Sequence, residues 1–153
     1  MTTYRFRVKF EYDPTSLWRD IVVGADRSID EFQTVLNRAV GLDQAHFWFF
    51  GTDQDYWQSP VQYKPPEEME QTASTMGDED EYDAAETTVG EMVRQLKLEA
   101  GDRICYLFDY GDEWRFYAIL KEIDEGAPGD TEPAVTNEKG DPVDQYAPHG
   151  ERL

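Results

Sequence analysis

Residues 4–12 read Tyr-Arg-Phe-Arg-Val-Lys-Phe-Glu-Tyr, and no other segment leaves this chain so little freedom. Side chains along a strand point alternately to opposite faces. Tyr4, Phe6, Val8, Phe10 and Tyr12 therefore share one face, and Arg5, Arg7, Lys9 and Glu11 share the other. The apolar face demands a covering layer and the charged face demands water, so the chain must build a sheet covered on one side. Asp13-Pro14-Thr15-Ser16 reads as a turn. Trp18 to Val23 reads as the return arm of a hairpin that ends at Gly24.

The covering layer follows directly. Ser28 and Glu31 have the spacing of a capping box, which satisfies free backbone N–H groups at a helix start. Ile29, Phe32, Val35, Leu36, Ala39 and Val40 then form one apolar stripe, and Gly41 is a natural stop. Ala45 to Phe50 reads as an aromatic strand closed by Gly51. Pro60, Pro65 and Pro66 break the pattern that follows, and Glu67 to Glu86 holds nine acids with few large apolar residues. The reading there is an acidic loop over about 64–86, with a short strand near Val61–Tyr63. Thr88 and Glu91 repeat the capping-box spacing ahead of Val89, Met92, Val93 and Leu96. Arg103 to Asp109 and Trp114 to Ile123 read as two strands joined by a tight Tyr110-Gly111-Asp112-Glu113 turn. Both of their faces carry apolar residues, which places them mid-sheet. From Asp124 the chain is rich in Gly, Pro, Asp and Glu. These elements predict one α+β domain with a mixed or antiparallel sheet and two main helices. Its core spans 1–123, and 124–153 is expected to be an irregular tail on the surface.

Charge adds a second constraint. Fourteen basic residues against 33 acidic ones give a formal charge of −19. The acids are spread along the chain as well as clustered, which points to a protein of a salt-adapted cytoplasm; at molar salt the Debye length is about 3 Å and self-repulsion is screened. Residues 1–38 hold six bases and six acids, so the whole deficit lies beyond them. Cys105 is the single cysteine, and it sits in an apolar run far in sequence from His46 and His149. An internal disulfide is therefore excluded, and the plainest role for Cys105 is that of a small buried hydrophobe. No apolar run approaches the roughly 20 residues of a membrane span, and the first residues alternate as a strand and not as a signal peptide. The expectation is a cytoplasmic protein without membrane contact.

Three stretches, LWRDIVV, SIDEFQTVLNRAVGLDQAHFWFF and FDYGDEWRFYAILKEI, occur in order and at a spacing that resembles the plasmid pRiA4b ORF-3-like family. The likeness covers about residues 4–123. It implies a β-grasp-like arrangement, with strands and helices in the order β-β-α-β and later α-β-β. Some members carry a resolvase-like name as passengers of insertion elements, although this chain shows no serine- or tyrosine-recombinase pattern. Two positions depart from the family pattern: Phe116 and Trp48 stand where many members have histidine. A site that needs several histidines would be dismantled here.

The candidate site residues are Trp18, Arg19, His46, Asp109, Gly111, Asp112, Trp114 and Arg115. Asp109 and Asp112 beside Arg115 could hold a divalent ion or serve as acid and base. The plainer reading makes Gly111 the positive-φ residue of a hairpin turn, gives the aspartates to turn amides, and buries Trp114. Arg19 could join Arg115 in binding an anion, or form a buried Arg–Asp brace between the hairpins. A lone His46 is more often structural than a ligand. Two histidines and one cysteine, scattered, do not make a zinc site, and Asp78 to Asp83 lacks the offsets of a calcium loop. No metal site or cofactor is expected. The favoured reading is a non-enzymatic module that binds a protein or a peptide. The alternative is a nucleic-acid-associated accessory protein of a mobile element, with Arg5, Arg7 and Lys9 as its contact face. A third is a divalent-metal-dependent hydrolase using Asp109 and Asp112.

Overall fold

The computed structural model describes residues 2–53, 55–68, 80–127 and 132–145. Ten elements follow in order: β1 (Thr3–Phe10), β2 (Trp18–Gly24), α1 (Ile29–Val40), β3 (Trp48–Gly51), β4 (Val61–Lys64), β5 (Asp80–Asp83), α2 (Val89–Leu96), β6 (Arg103–Phe108), β7 (Trp114–Asp124) and β8 (Ala134–Lys139). A 3-10 turn, Tyr56–Gln58, precedes β4. The strands form one eight-stranded sheet in the order β5-β4-β3-β6-β7-β1-β2-β8. Only β4 and β5 run parallel. The α+β class and the β-β-α-β opening agree with the expectation, and β6 and β7 lie mid-sheet as their two apolar faces require.

Both helices form as their caps dictate. Ser28 Oγ accepts from the Glu31 N–H at 3.1 Å. Gly41 ends α1 in the left-handed region at φ 95°; a Cβ there would meet the Val143 carbonyl, so only glycine fits. At α2 the Thr88–Glu91 box is complete in both directions. The stripes Ile29, Phe32, Leu36, Val40 and Val89, Met92, Val93 pack with Phe6, Val8, Phe10, Ile21, Phe50, Tyr106 and Phe116 in one core. A fully buried side chain of this size contributes about 1.5–3 kcal/mol. A buried polar chain fixes α1 on the sheet: Gln33 donates to the Tyr106 hydroxyl at 2.8 Å, and that hydroxyl donates to Asn37 Oδ1 at 2.6 Å.

The opposite, outer face is covered only at one end. Phe49, Tyr56, Cys105 and Leu107 form a second small cluster there, with Tyr110 against it.

Two expectations fail. The tail is not irregular throughout its described residues: β7 runs to Asp124, and Ala134–Lys139 pairs antiparallel with β2. Every residue of β8 is exposed, so no alternation of apolar residues marks it; backbone pairing holds it instead. The acidic stretch likewise contains β5. Its cross-strand contacts are Tyr82 stacked on Tyr63 at 5.4 Å and Glu81 with Lys64 at 3.2 Å. One tyrosine among acids gives no period to read. The remainder of the acidic stretch, residues 69–79, and His149 lie outside the described residues. Among the described residues no helix is long and apolar enough to cross a membrane.

Candidate functional site

The β6–β7 connection spans residues 109–113, longer than the tight turn expected, and its geometry corrects the role given to Gly111. The left-handed residues are Asp109 (φ 66°) and Glu113 (φ 52°), and Gly111 is not among them. Asp tolerates this region because its short side chain bonds locally. Asp109 Oδ1 accepts from the N–H groups of Gly111 at 3.1 Å and Asp112 at 3.3 Å. Its Oδ2 lies 3.5 Å from His46 Nε2. The Asp109 N–H donates to Phe47 O at 2.9 Å, which ties the connection to the entry of β3.

Glu113, which sequence reasoning passed over, is the hub of the other half. Its Oε1 accepts from Arg115 Nη2 at 2.7 Å and from Trp57 Nε1 at 3.2 Å, and its carbonyl accepts from the Tyr12 hydroxyl at 2.9 Å. The bonds from Arg115, first of all, and from Trp57 hold its carboxyl below the usual range. Arg115 also stacks over the Tyr56 ring at 4.8 Å and stands 3.9 Å from Glu11. Trp114 is buried against Phe10. Asp109, Glu113 and Arg115 thus bind the hairpin end to β3, to the 3-10 turn and to the end of β1. The signal for Glu113 was available only as a carboxylate two residues before an arginine.

Arg19 lies elsewhere and forms no Arg–Asp brace. Val8 faces it across the β1–β2 ladder, on the core side, and it is 1 % exposed. Nε donates to Ala39 O at 2.8 Å, Nη1 to Trp18 O at 2.9 Å and Lys139 O at 2.8 Å, and Nη2 to Gly140 O at 2.9 Å. Glu138 approaches at 3.5 Å. Ala39 is in the last turn of α1, whose carbonyls lack helical partners. A guanidinium at that end is also favoured by the helix dipole. Arg19 therefore caps α1 and clips β8 to the sheet. Among the described residues its partners are Trp18, Ala39, Glu138, Lys139 and Gly140, away from Asp109 and Arg115.

Trp18 points to the outer face, with the Arg7 guanidinium 4.0 Å above its ring. Arg5, Arg7 and Lys9 share this face, as their alternation requires. Asp20 takes both arginines: Arg7 donates to it twice, at 2.8 and 3.0 Å, and Arg5 at 3.4 Å. Arg5 also reaches Glu122 at 3.7 Å. Asp20 could be found only once the register set it opposite Arg7.

Phe116 and Trp48, the two positions expected to depart from the family pattern, lie on the core side: Phe116 is fully buried and Trp48 is nearly so. Among the described residues no three His, Cys, Asp or Glu side chains gather as a metal site. A cavity of about 140 Å³ opens beside Cys105, between Tyr56, Tyr117, Arg103 and Asp53. Burial pushes the Cys105 thiol up to about 11, so it is not a nucleophile at neutral pH.

The fold has a solved counterpart. It is similar to a protein of unknown function, MM3350 from Methanosarcina mazei Go1, with a TM-score of 0.66 at 15% identity, over 95% of this chain and 73% of that one. No curated protein matches the chain. The family model for plasmid pRiA4b ORF-3-like protein matches residues 2–145, and the chain belongs to that family.

Proposed function

We propose that the chain is a non-enzymatic binding module for a protein or peptide. The observation that supports this reading is the employment of its signature residues. Arg19 is sealed among carbonyls, Asp109 is held in its own turn, and Trp114 is in the core. Reactive carboxylates need a free edge directed at a substrate, and Asp109 has one oxygen on two amides and the other near His46. The 3-10 turn covers the outer face of β7 only at Arg115 and Phe116; beyond it, over the rest of β7 and over β1, β2 and β8, no described element covers that face.

Capture with the tagged chain, at a KCl concentration where circular dichroism shows the native fold, tests the reading. A partner retained in stoichiometric amount is the expected result. Screening for Mg²⁺- or Mn²⁺-dependent hydrolysis of nucleotides and nucleic acids is the counter-test. Activity that disappears in Asp112→Asn would replace the binding module by a hydrolase.

A further inference from the structure

The inference rests on the binding-module reading and names the surface and the chemistry of its partner: we propose that the face of β7, β1, β2 and β8 docks an extended acidic segment of another protein. The register places Tyr117, Lys9, Trp18 and Lys139 in one row across the four strands. The next row begins Arg103, Ile119, Arg7. Neighbouring strands are about 4.8 Å apart, so the two rings stand about 10 Å apart with Lys9 between them.

The charges on this face are of two kinds. Arg5 and Arg7 are neutralised within the sheet by Asp20 and Glu122. Lys9, Arg103 and Lys139 have no carboxylate within ion-pair distance among the described residues, in a chain that carries 33 acids. Three unpaired cations around two rings and Ile119 form a cationic, part-apolar surface on a molecule of formal charge −19. At molar salt the Debye length is about 3 Å, so acids on the far side of the domain do not cancel it and only groups in direct contact with these cations are felt. The complementary ligand carries carboxylates spaced by small or apolar side chains. An extended segment supplies that pattern, because every second side chain points the same way.

Nucleic acid is also anionic, but it reads such a face by stacking bases on rings. Here Arg7 lies over Trp18 at 4.0 Å and Arg103 over Tyr117 at 4.9 Å. Guanidinium groups already occupy ring faces, whereas a carboxylate needs only the N–H edge of Arg103 and the two ammonium groups.

The test uses a fluorescein-labelled ten-residue peptide that alternates Glu with Leu and Ser, followed by polarisation at a KCl concentration where the fold is intact. Saturable binding is expected, weakened about tenfold or more in Lys9→Glu/Arg103→Glu and unchanged in Lys97→Gln, which lies off the face. Circular dichroism of the double variant guards against misfolding. No binding of the acidic peptide, equal binding by the double variant, equal binding of a Lys-containing counterpart, or preference for a twelve-nucleotide oligo-dT would each overturn the proposal. The broader reading is separable. A partner captured equally by wild type and the double variant keeps the binding module and removes this face from it. Capture of nothing by either chain removes both.

Discussion

Arg7 and Arg19 lie on adjacent strands of one sheet, face opposite sides of it, and lead opposite lives. Arg7 sits on the outer face, 26 % exposed, with a carboxylate on its fork and a tryptophan beneath it. Arg19 sits on the core face, its side chain 2 % exposed, with every hydrogen bond directed to a main-chain carbonyl. Strand parity alone separates them. On the outer side Arg7 keeps contact with water and Arg5 still reaches Asp20, so the loss of one guanidinium is partly made good. On the dry side each carbonyl deprived of its donor carries its full desolvation cost. The Trp18-Arg19 pair is therefore an architectural device, with its two side chains serving opposite faces.

Replacement of Arg19 should break the fold hardest. Arg19→Met leaves four part-buried carbonyls without this donor and empties the space of a buried guanidinium, and should cost about 3–5 kcal/mol in denaturant unfolding. Arg19→Lys should recover less than half of that, because a single ammonium cannot span the carbonyls of α1 and β8 together. Arg7→Met should cost less, about 1–2 kcal/mol, because Arg5 stays on Asp20. Equal costs for the two methionine variants would erase the distinction between the faces.

Salt should come next in size, and it acts on acids away from both arginines. Carboxylate crowding is visible at Asp30, whose carboxyl is raised first by burial and then by Glu67, Asp83 and Glu31. Like charges at 6–8 Å cost roughly 0.5–0.7 kcal/mol in unscreened water, and dozens of such pairs rival the ~5–15 kcal/mol stability of a domain. The melting temperature should therefore climb steadily from 0.05 to 3 M KCl, in wild type and Arg7→Met alike. A flat profile would mean that the acids serve a partner and not a salty solvent. The pH dependence carries the same signature. A carboxyl whose folded pKa is raised contributes stability that is present below its unfolded pKa and lost as pH rises through the folded value. Asp30→Asn should accordingly melt above wild type at pH 7 and level with it near pH 3.

Asp20→Asn sharpens the comparison from the other side. Asp20 is 3 % exposed and is the anion that Arg5 and Arg7 share. Its loss should cost about 1.5–3 kcal/mol, more than the loss of either arginine, because both guanidinium groups are left over one neutral amide. A cost no larger than that of Arg7→Met would show that water already satisfies this face.

What could be read from the sequence followed periodicity and caps. The alternation of Tyr4 to Tyr12 fixed which side of β1 is wet, and the Ser28 and Thr88 boxes placed both helix starts within a residue. Strands β5 and β8 were missed because pairing, not an apolar face, makes them strands. At the candidate site Trp114 and the turn role of Asp109 were legible. The partners of Arg19 were not, because Lys139 and Gly140 come from a segment with no apolar pattern. Glu113 escaped because its bonds to Tyr12 and Trp57 cross 101 and 56 residues of chain.

The smallest effect concerns Gly111, and it contradicts the usual inference from a glycine in a hairpin connection. Its φ is outside the left-handed region, and a Cβ would come no nearer than 3.5 Å to Asp109 Oδ1, an ordinary contact. Gly111→Ala should therefore shift stability by no more than about 0.5 kcal/mol. The strained positions of the connection are Asp109 and Glu113. Asp109→Ala loses two amide bonds and places alanine at positive φ, for about 1–2 kcal/mol. Asp109→Gly relieves the backbone but not the amides, so it should fall between the two. Asp109→Asn keeps an oxygen acceptor and tolerates the left-handed region, so it should match wild type in melting temperature. That last variant separates the two uses of the motif. Stability and partner capture that both survive Asp109→Asn confirm that the carboxylate serves as a turn acceptor. Intact stability with lost capture would mean that its charge reaches a partner.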